Sequence, residues 1–243
     1  FFPMSKNPNN RGLSRKHIME SCEASLKRLK TDYIDLYQCH RYDTETELEE
    51  TISAMDDLVK QGKILYWGVS QWSAVQICDA AHLSRFHNKT KPVSNQPVYN
   101  MLNRSLEVDV MSLCEREGMG LVVWSPLAEG VLTGKYSKGN IPSDSRAAND
   151  QSNIFIKNRL TEEKLNKVDQ LVPIAKELGL NMAQLALAWC LRRPELSSVI
   201  TGASRVEQVL DNVKASGVVI PQDVLDTIDE ILDNEPVDQY ADY

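Results

Sequence analysis

The chain has 243 residues, 42% of them hydrophobic and 25% charged, with 27 Lys and Arg against 34 Asp and Glu for a formal net charge of -7. This is the composition of a soluble globular protein rather than a disordered one. An acidic balance with no Lys/Arg cluster argues against nucleic acid as a partner, and no apolar run reaches the length of a bilayer span, which argues against a membrane.

The length fits one large domain, residues 1–243, of the size that α/β barrels fill without splitting. Five cysteines, Cys22, Cys39, Cys78, Cys114 and Cys190, are odd in number, scattered and set in apolar patterns. They read as reduced structural thiols, and the expected compartment is the cytoplasm. Phe1-Phe2-Pro3 reads as the end of a buried strand whose start lies upstream.

From Ser14 to Lys30, Ile18, Cys22, Leu26 and Leu29 recur at helical spacing behind Ser14 as N-cap. Tyr33 to Cys39 predicts a strand ending at His40. Thr44 with Glu47 predicts a capping box, opening a helix through Leu48, Ile52, Met55 and Leu58 that Gly62 closes. Ile64 to Val69 is the next strand, ending at Ser70-Gln71. A helix from Ser73 to Phe86, a short strand from Val93 to Gln96, a helix from Leu106 to Gly118 and a strand from Leu121 to Val123 follow. Ser137 to Leu160 has no clear period and reads as a long functional loop. Thr161 caps a helix to Leu178, and Asn181 with Gln184 opens another through Trp189. Ser197 to Thr201 predicts a final buried strand. Ser204 with Glu207 predicts a capping box for a helix to Val213, and Pro221 to Leu232 a last helix.

Alternating strands and helices predict a parallel sheet with right-handed crossovers. A doubly wound nucleotide-binding sheet would carry a G-x-G-x-x-G turn after a strand, and none occurs. A (β/α)8 barrel instead places polar functional residues at several strand carboxyl ends. His40, Ser70-Gln71, Gln96, Trp124-Ser125 and Gly202 stand at such ends, so the predicted fold is α/β, a (β/α)8 TIM barrel. Five complete strands are legible, and the first strands are expected to be missing from this chain.

Two of these ends carry a chemical signature. After Leu121-Val122-Val123, Trp124-Ser125-Pro126 stops the strand, and Gly130 and Gly134 allow unusual backbone angles before Lys135. An indole beside hydroxyl, amide and ammonium groups suits a flat aromatic ligand carrying phosphate. Gly202-Ala203-Ser204-Arg205 offers free backbone N–H groups, a helix N-terminus and a guanidinium to an anion. The plainer readings are a buried structural Trp124, solvated charges at Lys135 and Arg146, and a His40 satisfied in the core. His17, His82 and His87 lie on predicted helices without metal-ligand spacing, and no metal is indicated.

Seven motifs in order carry a resemblance. Asp-Tyr-Ile-Asp-Leu-Tyr-Gln-Cys-His (32–40), Gly-Val-Ser-Gln-Trp (68–72), Asn95-Gln96, Trp-Ser-Pro-Leu-Ala (124–128), Gly134-Lys135-Tyr136, Ser145-Arg146-Ala147 and Gly-Ala-Ser-Arg-Val-Glu-Gln (202–208) resemble the aldo-keto reductase superfamily. The match is to the branch of bacterial general reductases and potassium-channel β-subunits. It implies hydride transfer from NADPH to a small-molecule aldehyde or ketone, with NADP(H) as cofactor.

By that resemblance His40 orients the substrate carbonyl, and the cofactor-binding residues are Ser70, Gln71, Gln96, Trp124, Ser125, Pro126, Leu127, Ala128, Lys135, Arg146, Gly202, Ser204, Arg205, Gln208 and Asn212. Trp124 stacks on the nicotinamide, and Lys135 and Arg146 hold the pyrophosphate and the adenosine end. Ser204 and Arg205 hold the 2'-phosphate, and Gln208 and Asn212 reach the ribose and adenine. Asp211 stands where the branch often carries Glu. The family's catalytic Asp, Tyr and Lys have no match here and are expected upstream of Phe1; Tyr42 matches none of the family's catalytic positions. Trp72, Tyr99 and the loop after Tyr136 are expected near the substrate. The rival expectation is a nucleotide-binding regulatory subunit with weak or no catalysis. Neither the substrate nor the oligomeric state is legible.

Overall fold

Apolar periodicity and capping chemistry set the element order of this protein, seen in a computed structural model that describes residues 7–136, 141–143, 145–148, 156 and 160–237. The expectation for Phe1-Phe2 and most of that for the 137–160 loop lie outside the described residues. Five strands, β1 (Ile34–Cys39), β2 (Ile64–Val69), β3 (Ser94–Asn95), β4 (Gly120–Val123) and β5 (Leu196–Val199), form one sheet in that order. The chain divides into two compact units, residues 1–97 with 109–121, and residues 98–108 with 122–243.

In the first unit, helix α1 (Arg15–Leu29) starts where the Ser14 hydroxyl accepts the His17 N–H. Ile18, Cys22 and Leu26, four residues apart, form its buried stripe. Helix α2 (Leu48–Lys60) begins at Glu47 with no side-chain cap, so the expected Thr44 box is absent. The reason is Asp43, whose carboxylate accepts from Leu13 N at 2.6 Å, Thr46 Oγ1 at 2.7 Å and Glu45 N at 3.0 Å, drawing residues 43–46 into a turn. Helix α3 (Ala74–Phe86) opens on a capping box: Ser73 Oγ accepts from Gln76 N, and Gln76 Oε1 accepts from Ser73 N.

β1 pairs in parallel with β2, Gln38 opposite Gly68, and β2 with β3, Gly68 opposite Ser94. Gly68 has no alternative, because a Cβ there would stand 2.2 Å from Ser94 Oγ and 2.8 Å from Ser94 O. Helix α4 (Val110–Glu117) starts later than Leu106. A short 3-10 turn at Ser105–Glu107 precedes it, and Asp109, at φ -151, breaks the helical run.

The second unit holds that 3-10 turn, the end of β4 and the rest of the chain. Helix α5 (Glu162–Glu177) is capped by Thr161, and helix α6 (Met182–Leu191) by the expected Asn181–Gln184 box. Apolar side chains surround most of α6, which is buried from Leu185 to Cys190. The predicted last strand is β5, but Ser197 and Ser198 on it are exposed rather than buried, as hydroxyl side chains tolerate. Helix α7 (Val206–Asn212) buries no side chain, and helix α8 (Gln222–Leu232) buries Ile228 and Leu232. All five cysteines are free, and four are buried, as the sequence predicts.

Candidate active site

Side chains alternate faces along a strand, so register decides which polar residues share one. Tyr37 is influenced by Cys22, Ser25 and Arg28 of α1, which puts it on the helix-facing side of β1. Gln38 and His40 therefore face the other way. The pairs Gln38–Gly68 and Gly68–Ser94 define one row on that face, and two residues further His40, Ser70 and Gln96 define the next. The ladder continues to this level, with Ser70 N donating to Cys39 O at 3.0 Å and Gln96 N to Val69 O at 2.8 Å. Three of the predicted site residues thus stand side by side at three strand ends.

Ser70, almost fully buried, donates its hydroxyl to Gln96 O at 2.7 Å. Arg41 lies beside them, donating from Nη1 to His40 O at 2.6 Å and reaching Ser70 Oγ at 3.5 Å. Burial lowers the His40 pKa from its ordinary value, and the Arg41 guanidinium adds to the effect. The shift favours the neutral imidazole, whose N–H is able to donate a hydrogen bond. Gln71 holds φ +57, a left-handed angle rare for a residue with a side chain. In the row beneath, Gln38 Oε1 and Ser94 Oγ are buried without a hydrogen-bond partner.

Tyr42 packs edge-on against Trp72, ring centroids 4.8 Å apart. Burial and then the nearby carboxylates of Asp79, Glu49, Glu47 and Asp43 raise its pKa. A proton-donating tyrosine beside a cation would be shifted the opposite way.

In the second unit, Trp124 is half-buried and bridges in parallel to Val98. The fully buried Asn100 donates from Nδ2 to Ser125 O at 2.9 Å, fixing the turn out of the strand. Ser125 at φ +57, Ala128 at +46, Glu129 at +53, Gly130 at +101 and Gly134 at +74 are all left-handed. Three of these are not glycine, a concentration of strain that marks functional loops. The segment is not a plain loop, since residues Ala128–Thr133 form a 3-10 turn kinked at Glu129 and Gly130. Pro126 and Ala128 are buried, Leu127 is half-buried, and Lys135 is exposed. A Cβ on Gly130 would lie 3.0 Å from Lys135 Cε and 3.1 Å from its Nζ, so the ammonium packs on this turn.

Ile200 N donates to Val123 O at 2.8 Å, which brings the residues after β5 level with Trp124-Ser125. Gly202, Ser204 and Arg205 are exposed. The expected Ser204–Glu207 box is replaced by Gln208, whose Oε1 accepts from Ser204 N at 2.7 Å, Ser204 Oγ at 3.2 Å and Arg205 N at 3.3 Å. Gln208 is third in the helix counted from Arg205, the geometry that lets an amide reach back; Glu207 is one position early. Asn212, half-buried, ends α7. Asp211 accepts from Asn181 Nδ2 and, at 3.0 Å, from Gln184 Nε2, so it ties α7 to the start of α6.

Arg146 opens a 3-10 turn at Arg146–Ala148; its side chain lies outside the described residues. Tyr99, expected near substrate, is fully buried, stacked on Trp189 with its hydroxyl 2.6 Å from Glu107. Arg41, Asn100 and Glu129 escape sequence reading, because their roles depend on partners one to 29 residues away. Among the described residues no group of three or more His, Cys, Asp or Glu could hold a metal ion, and no helix is long and apolar enough to cross a membrane.

The chain is 45% identical over 234 residues to a probable voltage-gated potassium channel subunit beta of Oryza sativa subsp. japonica, spanning 95% of this chain and 71% of that protein. It is 47% identical over 232 residues to the similarly named protein of Arabidopsis thaliana, spanning 94% and 71%. A putative voltage-gated potassium channel subunit beta of Schizosaccharomyces pombe is 43% identical over 239 residues, spanning 96% and 69%. Residues 4–233 match the family model described as the aldo/keto reductase family. With its five-stranded parallel sheet and polar strand ends, the chain belongs to the aldo/keto reductase family, whose fold is the (β/α)8 barrel.

Proposed function

We propose that this protein is an NADPH-dependent oxidoreductase that reduces aldehydes or ketones to alcohols. The observation that carries the proposal is the row of His40, Ser70 and Gln96 at three strand carboxyl ends, in a chain of the aldo/keto reductase family. When bound, the nicotinamide supplies the hydride. A hydride arriving at a carbonyl carbon leaves charge on oxygen, and a preorganised donor lowers that cost. His40, its imidazole neutral and its main-chain carbonyl held by Arg41 Nη1, donates to the carbonyl oxygen of the substrate.

The residues present suit such a cofactor. Ser70, Gln71 and Gln96 offer hydroxyl and amide groups to a carboxamide, above two buried polar atoms that lack partners. Trp124 offers an aromatic face, while Ser125 to Ala128 and Lys135 suit a pyrophosphate. Gly202, Ser204 and Arg205 suit a 2'-phosphate, with Gln208 and Asn212 for the ribose and adenine. The proposal places the protein in the cytoplasm. The test is oxidation of NADPH by the full-length protein with an aromatic aldehyde, for wild type and His40→Ala. Turnover that His40→Ala reduces by at least tenfold supports the reading, and turnover unaffected by the change refutes it.

A second reading is favoured by the names of the three relatives described above, each a probable or putative voltage-gated potassium channel subunit beta. In it the protein binds NADPH as a sensor and acts as a regulatory subunit of a potassium channel, with little turnover. Tight NADPH binding without turnover, together with co-purification of a channel protein, selects this reading over the first.

A further inference from the structure

The turn after Trp124 carries a carboxylate where the proposed function needs an anion. Ser125 Oγ donates to Glu129 Oε1 at 2.8 Å, closing a small ring across the kink. Glu129 sits at φ +53, where glycine would be relaxed, and its carboxylate reaches back to Ser125, four residues earlier. Its neighbour Gly130 is the residue on which Lys135 packs, with Nζ 3.1 Å from the position of a Cβ. One hydroxyl donor of this turn is therefore already engaged by an internal negative charge, on the same turn on which the Lys135 ammonium packs.

We propose that Glu129 is an internal competitor for the anion-binding donors of this turn, one that a pyrophosphate-bearing nucleotide must displace from Ser125 in order to bind. The inference rests on the reading that this turn takes the nucleotide's pyrophosphate. Two like charges sharing one set of donors repel, and the donors satisfy one of them at a time. Glu129 thereby weakens nucleotide binding and speeds its release. The neighbouring anion site after β5 differs, because there a neutral amide, Gln208, holds the Ser204 and Arg205 donors.

The alternative role is plain support, with Glu129 orienting Ser125. Glu129→Gln separates the two, because an amide oxygen still accepts the Ser125 hydrogen bond while the charge is gone. The test titrates the full-length wild type, Glu129→Gln and Glu129→Gly with NADPH, inorganic pyrophosphate and nicotinamide riboside, at low and high salt. Glycine accommodates φ +53, so Glu129→Gly keeps the experiment decisive if the glutamine variant folds poorly. The expected result is about tenfold tighter NADPH and pyrophosphate binding in both variants, equivalent to ~1.4 kcal/mol, shrinking as salt rises, with nicotinamide riboside unchanged. Wild-type NADPH binding that neither variant tightens overturns the role of Glu129 and leaves the nucleotide reading standing. Wild type and variants that all fail to bind NADPH overturn the nucleotide reading itself.

Discussion

The Ser70 hydroxyl donates to the Gln96 carbonyl at 2.7 Å, so the polar residue that ends β2 is bolted to the one that ends β3. Both belong to the row that starts with His40, and this bond fixes the spacing of its last two members.

Removing the bolt is costly. Ser70→Ala deletes the donor at a buried site and leaves a carbonyl without its partner, a loss of roughly 1 to 3 kcal/mol in unfolding free energy. Urea denaturation of the two proteins checks this, and a difference under about 0.5 kcal/mol contradicts the assigned bond.

His40 titrates below its ordinary value of about 6.5. The folded protein resists a proton that the unfolded chain takes up, so this residue's contribution to stability is complete above the unfolded pKa. It is lost as pH falls from there toward the folded pKa. Arg41→Ala removes a positive neighbour and moves the His40 pKa part of the way back up, while burial remains. Histidine NMR titration reads both values, and a His40 pKa above the ordinary value contradicts the geometry.

Glu107 lies under Arg104 at 2.8 Å and receives the Tyr99 hydroxyl at 2.6 Å. Burial pushes its pKa up, but the hydrogen bonds from Arg104 and Tyr99 outweigh it, and the net shift is down. The stabilisation is present above the ordinary carboxylate range and disappears as pH falls through the lower folded value. Glu107→Gln is expected to be less stable at pH 7 by about 3 kcal/mol, having left Arg104 poorly paired, and to lose less on acidification. Thermal melts across pH 3 to 7 compare the slopes, and parallel curves for the two proteins refute the assignment.

Arg205 is exposed next to Ser204, and the proposed function assigns it to a 2'-phosphate. The full-length protein is expected to prefer NADPH over NADH, and Arg205→Ala to reduce that preference by about tenfold or more, as a charge-assisted bond of roughly 1.5 to 3 kcal/mol requires. Equal affinity of wild type for both nucleotides removes this residue from the site.

The strand ends were legible in the sequence because each short apolar run halts at a polar residue, and alternation then assigns a face. His40, Ser70 and Gln96 fall in one row for that reason. Helix starts were legible where the cap is local, as at Ser14, Ser73 and Asn181. They were misread at Thr44, Leu106 and Ser204, where Asp43 and Gln208 redirect nearby amides and Asp109 breaks the helix. Tyr99, expected near the substrate, has partners Trp189 and Arg192 about ninety residues on that draw it into the core. Glu129 gave no signal, since nothing in the order Leu-Ala-Glu-Gly reveals that the carboxylate folds back on Ser125.

Nucleotide titration of the full-length protein, followed by tryptophan fluorescence in wild type and Trp124→Phe, tests the central claim most directly. The account predicts that NADPH quenches wild-type emission and that most of this quench is lost in Trp124→Phe, the indole being the ring that stacks on the nicotinamide. Trp124→Ala should weaken binding by about 1 to 3 kcal/mol. An unchanged quench in Trp124→Phe, or NADPH affinity indifferent to Trp124→Ala, would contradict it.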